Sequence, residues 1–180
     1  IAAGNTVVMK PSSETPMMAW LFADIMHEAG LPKGVLNFFV ASGAEAGDYM
    51  VQHPKTRFIS FTGSMEVGLR INELAAKNSP GQVWIKRVIA EMGGKDTLIV
   101  DSEADMDLAV DATVTSAFGF QGQKCSACSR VVVDKAIYDE FIARVKEEVE
   151  KIEIGNPAED FRMGPVISAS AEKSIMEYIE

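Results

Sequence analysis

The feature that most constrains the fold is an alternation of short apolar runs with longer amphipathic stretches. The first half of the chain predicts strands at 6–9, 35–40, 57–62 and 83–91, and helices at 17–29, 43–52 and 65–77. Parallel strands joined by crossover helices produce this alternation. The sequence therefore predicts an α/β fold built on a doubly wound parallel sheet, with ligands at the carboxyl ends of the strands.

The alternation is interrupted after Met92, where Gly93-Gly94-Lys95-Asp96 separates two apolar segments. The pattern then resumes, with strands predicted at 97–100 and 129–133 and helices at 105–118 and 137–152. We expect a domain boundary here, with a first domain at 1–92 and the start of a second α/β domain at 93–180. Because the chain begins without Met and stops within a helix-like pattern, we also expect it to be an internal piece of a longer protein.

Composition excludes several classes of partner. The net charge is −9, which argues against nucleic acid, because phosphate binding needs a clustered basic surface. No apolar run approaches the roughly 20 residues that cross a bilayer, so we expect no membrane partner. The two cysteines, Cys125 and Cys128, are too few for a disulfide scaffold. We therefore expect a reducing, cytoplasmic location.

Cys125 follows a glycine-containing loop, 119–124, and leads towards a predicted strand. Such loops carry function more often than packing, and their main-chain N–H groups are free to bind an oxyanion. A buried, inert thiol is the alternative, as are a redox dithiol or half of a zinc site formed with Cys128. Neither His27 nor His53 stands near a cysteine, so we expect no metal site.

Glu91 ends a predicted strand and is followed at once by two glycines. Since ligands gather at this end of parallel strands, its carboxylate is a candidate general base. A solvated strand-end carboxylate is the alternative.

Three loops are candidates for nucleotide binding. Phe61-Thr62-Gly63-Ser64 passes from a strand through a glycine turn into a helix, whose N-terminus offers N–H groups to a pyrophosphate; Ser64 also fits a plain N-cap. Gly43 and Gly47 frame a segment that matches neither the G-x-G-x-x-G nor the P-loop fingerprint. Lys10 and Glu14 flank the loop after the first strand, where they either hold the hydroxyls of an adenosine ribose or are surface charges.

Taken in order, four segments resemble the aldehyde dehydrogenase superfamily: 10–16 (KPSSETP), 61–64 (FTGS), 91–95 (EMGGK) and 122–125 (GQKC). The stretch 118–127 in particular resembles the cysteine signature of that superfamily, and the likeness covers essentially the whole chain. Within the superfamily, the tracts 43–68 and 125–130 are most similar to 1-pyrroline-5-carboxylate dehydrogenases. The resemblance implies a Rossmann-like NAD(P)-binding domain over 1–92, followed by part of a catalytic domain over 93–180.

The resemblance also implies a site. Cys125 is the expected nucleophile, Glu91 the general base that activates water, and Ser126 a ligand of the substrate's carboxylate. NAD is the expected cofactor, with NADP as the alternative, and the implied cofactor-binding residues are Lys10, Glu14, Gly43, Gly47, Phe61, Gly63, Ser64 and Val67. The implied substrate is a small-molecule aldehyde, L-glutamate γ-semialdehyde, and the implied parent protein is a homo-oligomer. The family's oxyanion-binding asparagine belongs to a segment outside this chain, so we expect little turnover from the isolated chain.

Overall fold

The computed structural model describes residues 1–180 and divides into two compact units, Ile1–Glu91 and Met92–Glu180. The first unit contains β1 (Val7–Met9), α1 (Pro16–Glu28), β2 (Leu36–Phe38), α2 (Asp48–Gln52), β3 (Phe58–Thr62), α3 (Met65–Ala76) and β4 (Arg87–Glu91). The second contains β5 (Asp96–Val100), α4 (Met106–Phe118), β6 (Cys128–Val133), α5 (Tyr138–Glu150) and α6 (Ala169–Ile179). None of the helices combines the length and the apolar character that a membrane span requires.

All strand pairs are parallel, as the crossover pattern predicted. They form three two-stranded sheets, β1-β2, β3-β4 and β5-β6, rather than one continuous sheet within this chain. In the β3-β4 pair, Phe58 lies opposite Arg87 and Thr62 lies opposite Glu91. The carboxyl ends of β3 and β4 therefore meet at the same edge, which is where a ligand is expected in an open parallel sheet.

The end of α1 lies where the local signals placed it. Gly30 has a φ of +91°, and its N–H donates to the His27 carbonyl at 3.0 Å while the N–H of Leu31 donates to the Met26 carbonyl at 3.0 Å. This pair of bonds is the Schellman arrangement, in which glycine accepts the left-handed conformation at low cost.

Two predicted elements of the first unit are less regular than expected. The predicted strand at 83–91 begins only at Arg87, because Val83 and Ile85 are 81% and 89% exposed and lie outside the β3-β4 pairing. Lys86 turns inward instead, and its Nζ donates to the Val51 carbonyl at 2.5 Å. Burial lowers the pKa of Lys86 from its ordinary value.

The predicted helix at 43–52 is split into a π-helical turn, Gly43–Gly47, and the short helix α2. Two glycines in one turn weaken a regular α-helix. The Ser42 side chain accepts from the Glu45 N–H at 3.1 Å, and the Glu45 carboxylate accepts from the Ser42 N–H at 3.4 Å. This reciprocal capping box starts the turn in spite of the glycines.

The second unit is organised around a small apolar core of Val100, Val110 and Phe141. Phe141, on α5, is only 1% exposed, and burying a side chain of this size stabilises a fold by roughly 1.5–3 kcal/mol. Asp105 caps α4, its Oδ1 accepting from the Leu108 N–H at 3.0 Å, so the cap predicted there is confirmed. The core holds α4 and α5 against the β5-β6 pair and thereby fixes the strand that follows Cys125.

Candidate functional site

The loop after β1 contains the predicted ribose ligands. The Lys10 ammonium donates to the neighbouring Pro11 carbonyl at 2.7 Å, and the Glu14 N–H donates to Ser12 Oγ at 3.3 Å. Glu14 is exposed and Lys10 half-buried, and the two form no ion pair with each other. Both side chains therefore retain free capacity to bind polar groups of a ligand.

The Gly63–Ser64 turn joins β3 to α3 and presents the N-terminus of a 12-residue helix. Ser64 is the N-cap, and its Oγ accepts from the Val67 N–H at 3.3 Å. The N–H groups of Met65 and Glu66 have no acceptor in the chain, as is usual in a first turn. Free N–H groups and the helix dipole together favour an anion at this position.

Gly63 is packed closely by the side chain of Phe61. A Cβ added at Gly63 would lie 2.4 Å from the Cζ atom of the Phe61 ring, so only glycine fits without moving the ring. The turn thus brings three of the predicted cofactor residues, Phe61, Gly63 and Ser64, into one cluster.

The main chain of Glu91 contacts this cluster. It is the last residue of β4, and its carbonyl accepts from the Gly63 N–H at 3.0 Å. Its side chain is exposed, so the carboxylate is open to water and to a ligand at the edge of the sheet. No hydrogen bond or ion pair connects Glu91 to Lys10 or to the Gly43–Gly47 turn.

The Gly43–Gly47 turn offers open space rather than a cradle. A Cβ added at Gly43 or Gly47 would have no atom of the chain within 4 Å. Internal packing therefore does not require glycine at either position.

Cys125 occupies a tight turn in the second unit. The N–H of Ala127 donates to the Lys124 carbonyl at 3.1 Å, which places Cys125 and Ser126 at the two central positions of a four-residue turn. Both side chains are exposed, and the main-chain N–H of Cys125 has no acceptor in the chain. An exposed thiol beside a free N–H is the arrangement that a nucleophile and its oxyanion donor need. The Cys125 thiol is exposed in this chain, unlike the buried thiol of the alternative.

The three residues that precede Gln123 are left-handed, which the sequence analysis did not anticipate. Phe120, Gln121 and Gly122 have φ values of +55°, +57° and +67°. For the two residues with side chains this conformation costs about 1–2 kcal/mol each. Strain of this kind persists only where surrounding contacts impose it, and it concentrates at functional sites.

A β-bulge lies immediately after the turn. Asp96 pairs with Cys128 but Thr97 pairs with Arg130, so Ser129 is an extra residue in β6. The Cys128 thiol donates to the Arg130 carbonyl at 3.1 Å. Bulges are common next to active sites because they redirect side chains.

A cationic contact lies on the same unit. The Lys95 ammonium is 4.4 Å from the centre of the Tyr178 ring. The neighbouring Lys95 ammonium, with a smaller contribution from the charge of Arg130, lowers the pKa of the exposed Tyr178 hydroxyl.

Other kinds of site are not formed. No group of three or more His, Cys, Asp or Glu side chains lies close enough to bind a metal ion. The two principal surface depressions are lined by side chains of α4 and α5 and by residues between 151 and 162, and none of the predicted site residues lines them.

The whole chain, residues 1–180, matches the model of the aldehyde dehydrogenase family. The chain belongs to this family. It is 60% identical over 181 aligned positions to 1-pyrroline-5-carboxylate dehydrogenase of Anoxybacillus flavithermus, covering 100% of this chain and 35% of that protein. The corresponding enzyme of Geobacillus thermodenitrificans is 59% identical with the same coverage. The chain therefore spans about a third of the length of the curated relatives it matches.

Solved structures agree with the family. A 1-pyrroline-5-carboxylate dehydrogenase from Thermus with bound NAD superposes with a TM-score of 0.95 at 48% identity, over 99% of this chain and 34% of that one. A betaine aldehyde dehydrogenase of Staphylococcus aureus in complex with NAD+ superposes with a TM-score of 0.92 at 38% identity, with the same coverage. These matches confirm the predicted fold class, a parallel α/β architecture of the aldehyde dehydrogenase type.

Sequence reasoning missed two features of this aldehyde dehydrogenase chain. One is Lys86, which the sequence predicts as an ordinary strand residue but whose buried side chain donates a hydrogen bond to the Val51 carbonyl. The other is the left-handed turn before Cys125, for which Gly122 was the only local signal.

Proposed function

We propose that the protein oxidises an aldehyde to a carboxylate with a nicotinamide cofactor, through a covalent intermediate on Cys125. The observation that carries this proposal is the exposed Cys125 thiol beside its own unpaired main-chain N–H. Family membership supports the same reaction. In this reaction Cys125 and Glu91 are the catalytic residues.

Each step has a group to perform it. The Cys125 thiolate attacks the aldehyde carbon, and the oxygen that becomes negatively charged is held by the Cys125 N–H. A nicotinamide cofactor, when bound by the first unit, would supply the acceptor for the hydride that this carbon loses. The carbon then remains on Cys125 as a thioester, and the Glu91 carboxylate takes a proton from the water that hydrolyses it.

The proposed cofactor is NAD, bound by the first unit acting as the nucleotide-binding domain. The unpaired N–H groups of Met65 and Glu66 and the Ser64 hydroxyl suit a pyrophosphate. The exposed Glu14 carboxylate suits the hydroxyls of a ribose and opposes a 2′-phosphate, which favours NAD over NADP. Lys10, Gly43, Gly47, Phe61, Gly63 and Val67 complete the proposed cofactor site.

The proposed substrate is L-glutamate γ-semialdehyde. Two curated 1-pyrroline-5-carboxylate dehydrogenases are 60% and 59% identical to this chain. The Ser126 hydroxyl is exposed, makes no hydrogen bond in the chain and follows Cys125 directly, which supports Ser126 as the proposed ligand of the substrate's carboxylate. We further propose a cytoplasmic location, in line with two unpaired thiols, and a homo-oligomeric parent protein.

The test uses the complete gene product and follows reduction of NAD with L-glutamate γ-semialdehyde. Cys125→Ala is expected to abolish turnover, whereas Glu91→Gln is expected to retain hydride transfer and accumulate a thioester that mass spectrometry detects. Glu103→Gln is the control for loss of an exposed carboxylate.

Cys128→Ser separates the dehydrogenase from a redox dithiol, since only the second reading requires Cys128. Activity that survives Cys125→Ala would remove Cys125 from the mechanism. Activity lost equally in Cys125→Ala and in Cys128→Ser would favour the dithiol, which needs both thiols.

A further inference from the structure

A segment without a role in the reaction above, residues 154–167, packs against the loop that precedes Cys125; we call it the strap. Its base is closed by a parallel bridge between Ile154 and Met163, with the Gly155 N–H donating to the Met163 carbonyl at 3.0 Å. This bridge makes the strap a closed loop rather than a free connection.

Arg162 fastens the strap to α4, the helix that leads into the Cys125 loop. Its Nη2 donates to Thr115 Oγ1 at 3.2 Å and lies 3.6 Å from Asp111 Oδ1. The strap therefore cannot move far from the end of α4 without breaking these contacts.

The strap then reaches the loop itself through two main-chain N–H groups. The N–H of Ile167 donates to Gln123 Oε1 at 3.1 Å. The Gln121 amide, in the orientation that satisfies both of its groups, accepts from the Gly164 N–H at 2.8 Å and donates to the Phe120 carbonyl at 3.2 Å. Residues 121 and 123 of the loop are thus both hydrogen-bonded to the strap.

The approach of the strap at Gly164 is close. Gly164 is buried, and a Cβ added there would lie 2.7 Å from Pro157 Cγ and 3.3 Å from the end of the Gln121 amide. A side chain at this position would therefore push the strap away from Gln121.

These contacts explain why the loop keeps a conformation that its own residues disfavour. Phe120 and Gln121 are left-handed although neither is glycine, and Phe120 is 70% exposed, so its side-chain packing cannot supply the compensation. The amide of Gln121 and the bond from Gln123 to Ile167 supply it from outside the loop. Gln123 directly precedes Lys124, the first residue of the Cys125 turn.

We propose that Gln123, bound by the Ile167 N–H, is a positioning residue for Cys125, and that the strap holds the thiol ready to react. The inference rests on the proposed role of Cys125. Loss of the Gln123 amide releases the strained turn, and Cys125 then spends less time in the reactive geometry.

The test measures alkylation of Cys125 by iodoacetamide in the complete gene product, resolved from Cys128 by peptide mass spectrometry, together with kcat and KM. Gln123→Ala is expected to slow both alkylation and kcat about tenfold, the factor that corresponds to one hydrogen bond of about 1.4 kcal/mol. Gln123→Glu keeps an acceptor for the Ile167 N–H and is expected to restore most of both rates. Glu159→Ala changes an exposed strap residue that does not contact the loop and is the control.

If folded Gln123→Ala is alkylated at the wild-type rate, the proposal is overturned. This holds even if the variant melts at a lower temperature, because Gln123 would then stabilise the fold without positioning Cys125. If Gln123→Ala does not fold, Arg162→Ala is the second variant, since Arg162 is an exposed side chain whose loss loosens the strap. We expect Cys125 to be alkylated severalfold more slowly in Arg162→Ala. An unchanged alkylation rate in this variant refutes the proposal. The alkylation rate does not depend on dehydrogenase activity. Failure of the proposed function would therefore appear as activity in Cys125→Ala, and failure of the positioning role as unchanged alkylation.

Discussion

Ser64 allows the structural and the cofactor-binding contributions of one hydroxyl to be separated. Its Oγ caps α3 with a bond of 3.3 Å to the Val67 N–H, and Ser168 caps α6 in the same way, with a bond of 3.2 Å to the Ala171 N–H. Replacing either serine by alanine removes one cap, which costs about 1 kcal/mol of stability. Only Ser64 lies at the helix end proposed to bind the pyrophosphate.

The two substitutions are therefore expected to lower stability equally and cofactor affinity unequally. Ser64→Ala loses, in addition to the cap, a hydrogen bond to a charged group worth about 1.5–3 kcal/mol, which corresponds to a rise in the NAD dissociation constant of roughly tenfold or more. Ser168→Ala is expected to leave that constant unchanged. Isothermal titration with NAD and urea unfolding of both variants measure the two quantities. Equal NAD affinity in the two variants would refute the assignment of the α3 N-terminus to the cofactor.

Two further predictions concern stability and its pH dependence. Phe141→Ala is expected to lower the unfolding free energy by about 3–5 kcal/mol, because the ring is 1% exposed, whereas Ile142→Ala, at a position 44% exposed, is expected to cost far less; urea unfolding compares them. Burial lowers the pKa of Lys86 in the folded chain. Between that lowered pKa and the ordinary value of about 10.5, the unfolded chain binds more protons than the folded chain. The free energy of unfolding therefore rises with pH in this range. The stability of the wild type relative to Lys86→Met is therefore expected to increase as the pH rises towards 10.5, and a difference that is constant with pH would contradict this assignment.

The features predicted correctly from the sequence are those that depend on neighbouring residues. Gly30 marked the end of α1 and Asp105 marked the start of α4, because a helix end is determined by the few residues that satisfy its free N–H and carbonyl groups. The alternation of strands and helices predicted the parallel pairing for a similar reason, since crossover connections require it. Four short segments in order were enough to indicate the family.

The features that were missed depend on distant residues. The predicted strand at 83–91 was too long because Lys86 binds the carbonyl of Val51, a residue 35 positions away. The left-handed conformation of Phe120 and Gln121 contradicts the usual preference for glycine, and its compensation comes through a bond from Ile167 to Gln123, across 44 positions. No window of sequence around Cys125 contains that information.

Cys128 shows how the same turn argues against a redox dithiol. In a C-x-x-C redox motif of the thioredoxin kind the cysteines open a helix, where the dipole favours the thiolate. Here Cys128 is the first residue of β6, it pairs with Asp96, and its thiol donates to the Arg130 carbonyl. Because Cys128 begins a strand, no helix N-terminus is present at this residue, and the feature that a thioredoxin-type motif uses is missing. Cys125 thus lies between a strained turn on one side and the bulged start of β6 on the other, and Cys128 is the first residue of that strand.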